Sequence, residues 1–159
     1  MSKALFAGSF DPVHLGHLDI ITRASKCFDE VVVAVTVNLA KKNMFTVEER
    51  EEMIRRLTGG LPNVTVDRID GLRSAYVNAN GITVDLRSLR SGTDLDYEMP
   101  VQQMFADMYD RAETLVMFTS PQYSHISSNQ VRQVFSLGGD VSGMVHPDTL
   151  KFMNEKFNR

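Results

Sequence analysis

From Val31 to Val37 the chain reads Val-Val-Val-Ala-Val-Thr-Val, a β-branched run with no alternation of polar and apolar positions. A strand with one wet face alternates; a strand covered on both faces does not. That run therefore demands helices on both sides of a sheet. Ala4 to Ala7, Val64 to Val66, Thr83 to Leu86 and Thr114 to Phe118 read as further strands. Helical patterns separate them. Leu18, Ile21, Ser25 and Phe28 form one stripe, and Val47, Ile54 and Leu57 a second, the latter preceded by a Thr46–Glu49 capping box. Val101, Met104, Phe105 and Met108 fall at i, i+3, i+4 and i+7, a helix face expected to pack into the core before it serves an interface. Ser127, with Gln130 three residues on, is a candidate N-cap ahead of Val131, Val134 and Phe135, and Leu150, Met153 and Phe157 pattern a last helix. Strand and helix alternate along the whole chain, which predicts a three-layer α/β fold with a five-stranded, mostly parallel sheet. No linker, repeat or low-complexity stretch interrupts it, so residues 1–159 read as one domain.

Composition narrows the partners. Seventeen Lys and Arg against twenty Asp and Glu give a formal charge of −3, which excludes a strongly basic nucleic-acid coat. A single cysteine, Cys27, excludes an internal disulfide and a Cys-rich zinc site. No run approaches the ~18 apolar residues of a membrane span, and the apolar start is too short for a signal peptide. The expected compartment is the cytosol, with no membrane partner.

In such folds ligands sit at the carboxyl ends of the strands. The first such end carries Gly8-Ser9-Phe10-Asp11-Pro12-Val13-His14-Leu15-Gly16-His17. Gly8 is expected to permit a sharp turn and Gly16 a close approach of backbone to ligand. The helix start promises free amides and a positive dipole end for phosphate, with His14 and His17 on one side of the first turn. A neutral or charged imidazole there could donate to charge developing on a phosphate. Two histidines three apart also suit a metal pair, or an incidental structural turn, though no further Cys/His cluster accompanies them.

Lys41 and Lys42 follow the second strand, where one lysine could reach a phosphate or both could be solvated surface. Arg87 and Arg90 end the fourth, in Leu86-Arg87-Ser88-Leu89-Arg90. They suit bidentate recognition of phosphate oxygens, or structural pairing with Asp94, Asp96 or Glu98. Tyr123-Ser124-His125-Ile126-Ser127-Ser128-Asn129 follows the fifth and enters a helix, which suits an anion or simple capping by Ser127.

The string around His14 to His17 resembles the (His/Thr)-x-Gly-His signature of the nucleotidyltransferase superfamily. Over essentially the whole chain the sequence resembles the bacterial phosphopantetheine adenylyltransferase family. The resemblance rests on Gly8-Ser9-Phe10-Asp11-Pro12, Met44-Phe45-Thr46-x-Glu48-Glu49-Arg50, the double-arginine strand end, Tyr97-Glu98-Met99, Ile126-Ser127-Ser128 and Gly139-Asp140-Val141. It implies a Rossmann-like sheet and transfer of AMP from ATP to 4′-phosphopantetheine. The products are dephospho-coenzyme A and pyrophosphate, in the penultimate step of coenzyme A synthesis. It further implies Mg2+, a homohexamer, and coenzyme A as a candidate feedback ligand.

By the same resemblance Ser9 touches both substrates, Phe10 lies on the nucleotide and His17 on its α-phosphate. Lys41 binds the phosphopantetheine phosphate, with Arg73 and Arg87 also on the acceptor side. Ser88, Leu89 and Arg90, then Glu98, then Tyr123, Ser124, His125, Ile126, Ser127, Ser128 and Asn129, make up the ATP contacts. His17, Lys41 and Arg90 are the implied catalytic set, and no residue is implied as a metal ligand. The family pattern Thr-Asn-Gly-His stands here as His14-Leu15-Gly16-His17 and Ile-Arg-Gly-Leu-Arg as Leu86-Arg87-Ser88-Leu89-Arg90; Asn129 replaces a serine, and Pro100 after Met99 is atypical. Arg73 stands where an apolar residue is common. Alternative functions are another nucleotidyltransferase, such as one using nicotinate mononucleotide, or a silent nucleotide- or coenzyme A-binding module.

Overall fold

A computed structural model of the chain describes residues 1–37 and 42–159. The strands are β1 (Lys3–Gly8), β2 (Glu30–Thr36), β3 (Val64–Ile69), β4 (Val84–Leu89) and β5 (Glu113–Phe118). All neighbours pair in parallel in the order β3-β2-β1-β4-β5. The helices are α1 (Leu15–Cys27), α2 (Val47–Thr58), α3 (Arg73–Ala79), α4 (Gly92–Ala106), α5 (Ser128–Ser136) and α6 (Pro147–Phe157), with a short 3-10 turn at Pro121–Tyr123. No helix among the described residues is long and apolar enough to cross a membrane.

Alternate side chains of each strand feed two apolar layers. Ala4, Phe6, Val31, Val33, Val35 and Leu86 pack with Ile20, Ile21, Met53, Ile54, Val131, Phe135 and Met153 from α1, α2, α5 and α6. Leu5, Ala7, Val32 and Ala34 point the other way and meet Ile69, Val77 and Ile82. The uninterrupted valines of β2 are thus explained: both of its faces are covered.

Several local expectations shift. The buried face of α1 is Gly16, Ile20, Ile21 and Ala24, rotated from the stripe expected through Leu18, because Ile20 and Ala24 point at the sheet. Helix α3 gives no sequence signal: Leu72 at its start makes no side-chain cap, and only Ser74 and Val77 are buried. The expectation that Val101, Met104, Phe105 and Met108 form core is overturned. Only Gln102 of α4 is buried, while Val101, Met104 and Met108 are exposed, because α4 leans on the sheet through its polar side. The Thr46–Glu49 capping box forms in both directions.

The loops that frame the upper edge of the sheet hang on Arg50, which is 1% exposed. Its Nη1 donates to the Ser9 carbonyl at 2.7 Å and the Thr36 carbonyl at 3.4 Å, and its Nε donates to the Thr46 carbonyl at 3.3 Å. The Asp11 carboxylate accepts the Met44 and Phe45 amides, both at 2.9 Å. One side chain therefore ties the loop after β1 to the end of β2 and the start of α2. Arg50→Met would take the guanidinium from the Ser9 and Thr36 carbonyls, while the Thr46 carbonyl keeps the backbone amide of residue 50. It should lower the unfolding free energy by about 3 kcal/mol in urea titration. A loss under about 0.5 kcal/mol, the range of an ordinary surface change, would refute this role.

Candidate active site

A cleft of about 480 Å³ opens at the carboxyl ends of β1 and β4, where the strand order reverses. The register between these strands covers only Ala4–Val84 and Leu5–Asp85, against the longer pairing of β1 with β2. Further up, the Ala7 carbonyl accepts from Arg87 Nη1 at 3.2 Å, so a guanidinium bridges the gap between the strands.

The loop from Gly8 to His17 forms one wall, but its glycines work differently from the sequence expectation. A Cβ on Gly8 would meet the Phe10 ring at 3.3 Å, and the residue with positive φ is Phe10 itself, at 47°. A Cβ on Gly16 would meet His14 Cε1 at 3.0 Å, so this glycine makes room for an imidazole of its own chain. The expected free amides at the start of α1 are also corrected. His14 Nδ1 accepts from the Gly16 amide at 3.1 Å and the His17 amide at 3.4 Å, while Leu15 donates to the Met144 carbonyl. The helix end is closed by its own cap.

That cap fixes the chemistry of both histidines. His17 Nδ1 accepts the His14 amide at 3.2 Å, so each ring carries its proton on Nε2 and can only donate there. The rings stack with centroids 3.6 Å apart, and the Phe10 ring meets His17 edge-on at 4.9 Å. Burial, with the nearby Arg90 charge, pushes the His14 pKa down to about 3. Burial, then His14 and Arg90, holds His17 well below its ordinary value. Both rings are neutral donors at physiological pH.

Across the cleft stand the two arginines. Arg90 donates from Nε to Asp94 Oδ2 at 3.1 Å and from Nη1 to the Ile126 carbonyl at 3.3 Å. Arg87 meets Glu98 through Nε at 3.2 Å and Nη2 at 3.3 Å. The structural pairing considered for these arginines is therefore realised while both still line the cleft. Ser127 caps α5 by accepting the Gln130 amide, and Ser128 donates to the Pro12 carbonyl. Ser127 and Ser128, at the start of α5, both line the cleft.

Of the sequence-derived residues, Phe10, His17, Arg87, Ser88, Arg90, Glu98, Ser127 and Ser128 line this cleft. Leu89 and Ile126 are buried in the core, and Ile126 contributes its carbonyl to Arg90. Ser9 offers its carbonyl to Arg50, Ser124 donates to the Pro121 carbonyl, Tyr123 packs on the core, and His125 is exposed. Asn129 and Lys42 line a neighbouring hollow with Arg132. Arg73 does not line the cleft; its guanidinium lies 4.1 Å over the Phe105 ring. Lys41 lies outside the described residues. Tyr97, part of the Tyr97-Glu98-Met99 string, also lines the cleft, as do Thr93 and Thr119, which are unsignalled in sequence because each is a lone polar residue without diagnostic spacing.

The neutral histidines carry a pH signature. Below pH 6.5 the unfolded chain protonates His14, whereas the folded chain does so only near 3, so stability falls as pH drops through that window. The slope approaches about 1.4 kcal/mol per pH unit for each such group. His14→Thr retains a capping oxygen and removes that proton uptake. Denaturation between pH 6.5 and 5 should give the variant a shallower loss of stability than the parent. Equal slopes would contradict a neutral His14.

A family model described as cytidylyltransferase-like matches residues 5–134 of this chain. A phosphopantetheine adenylyltransferase from Geotalea daltonii is 42% identical over 156 residues, covering 98% of this chain and 97% of the relative. A solved structure from Vibrio parahaemolyticus, provisionally described as a nicotinate-nucleotide adenylyltransferase, superposes with a TM-score of 0.70. It covers 98% of this chain and 93% of that one at 19% identity, which speaks for the fold alone. With a reversed sheet order, a His-x-Gly-His cap and paired arginines in one cleft, the chain belongs to the cytidylyltransferase-like family and, within it, to the phosphopantetheine adenylyltransferase family.

Proposed function

We propose that this chain transfers AMP from ATP to 4′-phosphopantetheine, releasing pyrophosphate and dephospho-coenzyme A in the penultimate step of coenzyme A synthesis. The observation that carries this is the near full-length match to a phosphopantetheine adenylyltransferase, together with a cleft whose donors suit phosphate. A phosphate oxygen of the acceptor attacks the α-phosphorus of ATP; the new P–O bond forms as the bond to the bridging oxygen breaks. The nucleophile is already ionised, so no general base is needed, and the work is positioning and charge stabilisation.

In this mechanism His17 Nε2–H donates to the α-phosphate as charge builds there. Its neutrality keeps the proton on the ring: the donor stabilises the oxyanion without transferring a proton. Arg90 and the first turn of α5 hold the triphosphate, and Arg87 takes the acceptor phosphate. Lys41 is the proposed partner of nucleophile and α-phosphate. The remaining implied contacts, from Ser9, Phe10, Ser88, Leu89 and Glu98 to the Tyr123–Asn129 segment, belong to the same proposal.

Among the described residues no group of three His, Cys, Asp or Glu side chains forms a cation cage. The cleft carboxylates Asp94 and Glu98 each face an arginine. This lining suits Mg2+ that arrives on the triphosphate oxygens as part of the nucleotide substrate. When bound there it would screen the charge on departing pyrophosphate.

Assembly as a homohexamer in the cytoplasm completes the proposal. Support for assembly comes from exposed Val101 and Met104 on α4 and Met108 just after it, with exposed Leu115, Val116 and Phe118 on β5. Phe118 is 71% exposed, an unusual position for so large an apolar side chain. Light scattering at micromolar concentration should give the mass of six chains, and Phe118→Asp should reduce it. A monomer in the parent would remove the assembly reading.

Pyrophosphate release from ATP, measured in parallel with phosphopantetheine and nicotinate mononucleotide, tests the activity. Only the first should support turnover; faster release with the mononucleotide would overturn the acceptor. His17→Ala should lower the single-turnover rate by about 10²-fold, the scale of losing one preorganised donor. ATP affinity should change far less, since Arg90 and α5 remain. Near-normal single-turnover chemistry in this variant would sink the mechanism.

A further inference from the structure

Behind Arg87 lies a buried polar chain that the adenylyl-transfer chemistry does not itself require. Asp85 is fully buried on the β4 face that packs with Leu5 and Ala7, an apolar layer. Arg73 Nη2 sits 3.3 Å from Asp85 Oδ2, and the Tyr109 hydroxyl donates to the same oxygen at 2.8 Å. Arg73 Nη2 also donates to Gln102 Oε1 at 2.6 Å, and Gln102 Nε2 donates to Glu98 Oε2 at 2.7 Å. Glu98 in turn grips Arg87 at both carboxylate oxygens. The chain thus runs Tyr109–Asp85–Arg73–Gln102–Glu98–Arg87 and ends at the cleft wall.

Stability gives a poor account of this arrangement. Buried ion pairs are often no better than apolar residues of the same volume. Here Arg73 Nε and Asp85 Oδ1 are both buried without a partner, an added cost. What the chain does supply is direction. An amide side chain is a donor at one end and an acceptor at the other. Arg73 faces the Gln102 oxygen and so turns its nitrogen toward Glu98. Burial would raise the Glu98 carboxyl, but the Arg87 charge and the hydrogen bonds from Arg87 and Gln102 hold it below its ordinary value. A charged Glu98 in a fixed pose then fixes Arg87. Three of its donors are taken by Glu98 and the Ala7 carbonyl, leaving one N–H on each terminal nitrogen for a phosphate.

We propose that Arg73, Asp85 and Gln102 are positioning residues for the acceptor: the buried pair orients Gln102, Gln102 orients Glu98, and Glu98 presents Arg87 to the acceptor's phosphate. Arg73 acts through Gln102 and not by touching the substrate. The proposal rests on phosphopantetheine being the acceptor.

Gln102→Met removes both hydrogen bonds, keeps the volume and leaves the Arg73–Asp85 pair intact. The KM for phosphopantetheine should rise about tenfold, the scale of a misplaced positioning group, and by more than the KM for ATP, which Glu98 is also implied to contact. Proton exchange at Arg87 Nε–H, followed by NMR on the free enzyme, should accelerate. Arg73→Met alone would leave Asp85 uncompensated and could unfold the chain, so the pair is removed together as Arg73→Met with Asp85→Leu; the same KM shift is expected. A purely structural role would lower the melting temperature and leave the KM for phosphopantetheine unchanged. That KM staying within about twofold in Gln102→Met, or unchanged Arg87 exchange, overturns the proposal. A parent enzyme inert toward phosphopantetheine would sink the functional reading instead, and Arg87 exchange would still decide the relay.

Discussion

A single nitrogen, His14 Nδ1, accepts the amides that begin α1, and the site is organised around that bond. It satisfies donors that a helix start otherwise leaves open, so no ligand is needed to close the helix. It fixes the tautomer of His14, and the His14 amide then fixes that of His17. Because the imidazole folds back over the turn, a Cβ at position 16 would press on it at 3.0 Å, and glycine relieves that contact. Cap, tautomer and glycine are one requirement written at three positions. Threonine, which stands here in many relatives by the resemblance, could meet the capping part of it but not stack on His17.

The opposite wall follows a different rule. Its cations are held by carboxylates: Arg90 by Asp94 and Arg87 by Glu98. Pairing lowers the cost of keeping guanidinium groups half-buried before substrate arrives and fixes their forks in advance. In the proposed reaction the two walls would divide the labour: neutral donors where charge develops, fixed cations where charge is already present.

Much of this was legible in sequence. The unbroken valines of β2 announced a sheet covered on both faces, and the Thr46–Glu49 spacing announced the start of α2. Arg87 and Arg90 were readable as a pair because they close a strand. What escaped had no periodic signature. Asp85 sits between Val84 and Leu86 in a segment that reads as an ordinary strand, and its partners Arg73, Gln102 and Tyr109 lie on elements that meet it only in three dimensions. Arg50 stands in the sequence only as the end of the Met44-to-Arg50 string, and burial of a guanidinium among carbonyls leaves no pattern. The apolar spacing on α4 was correct, but period alone cannot distinguish a face turned to the core from one turned outward. Gly16 was recognised as necessary for the wrong reason, since a close approach looks the same whether the visitor is a ligand or a neighbouring ring.

The short pairing between β1 and β4 has a consequence for how the molecule comes apart. Strands β1, β2 and β3 are joined along long registers by nearby segments, whereas β4 meets β1 across about eighty residues of chain and pairs with it over two positions. Sub-global openings follow the weakest cooperative boundary. Here that boundary is the line the cleft straddles, with His17 on one side and Arg87 and Arg90 on the other. A nucleotide lying across it, as proposed, would work as a clasp between two halves of one sheet. Amide hydrogens of β4 and β5 would then gain protection from a ligand that touches few of them.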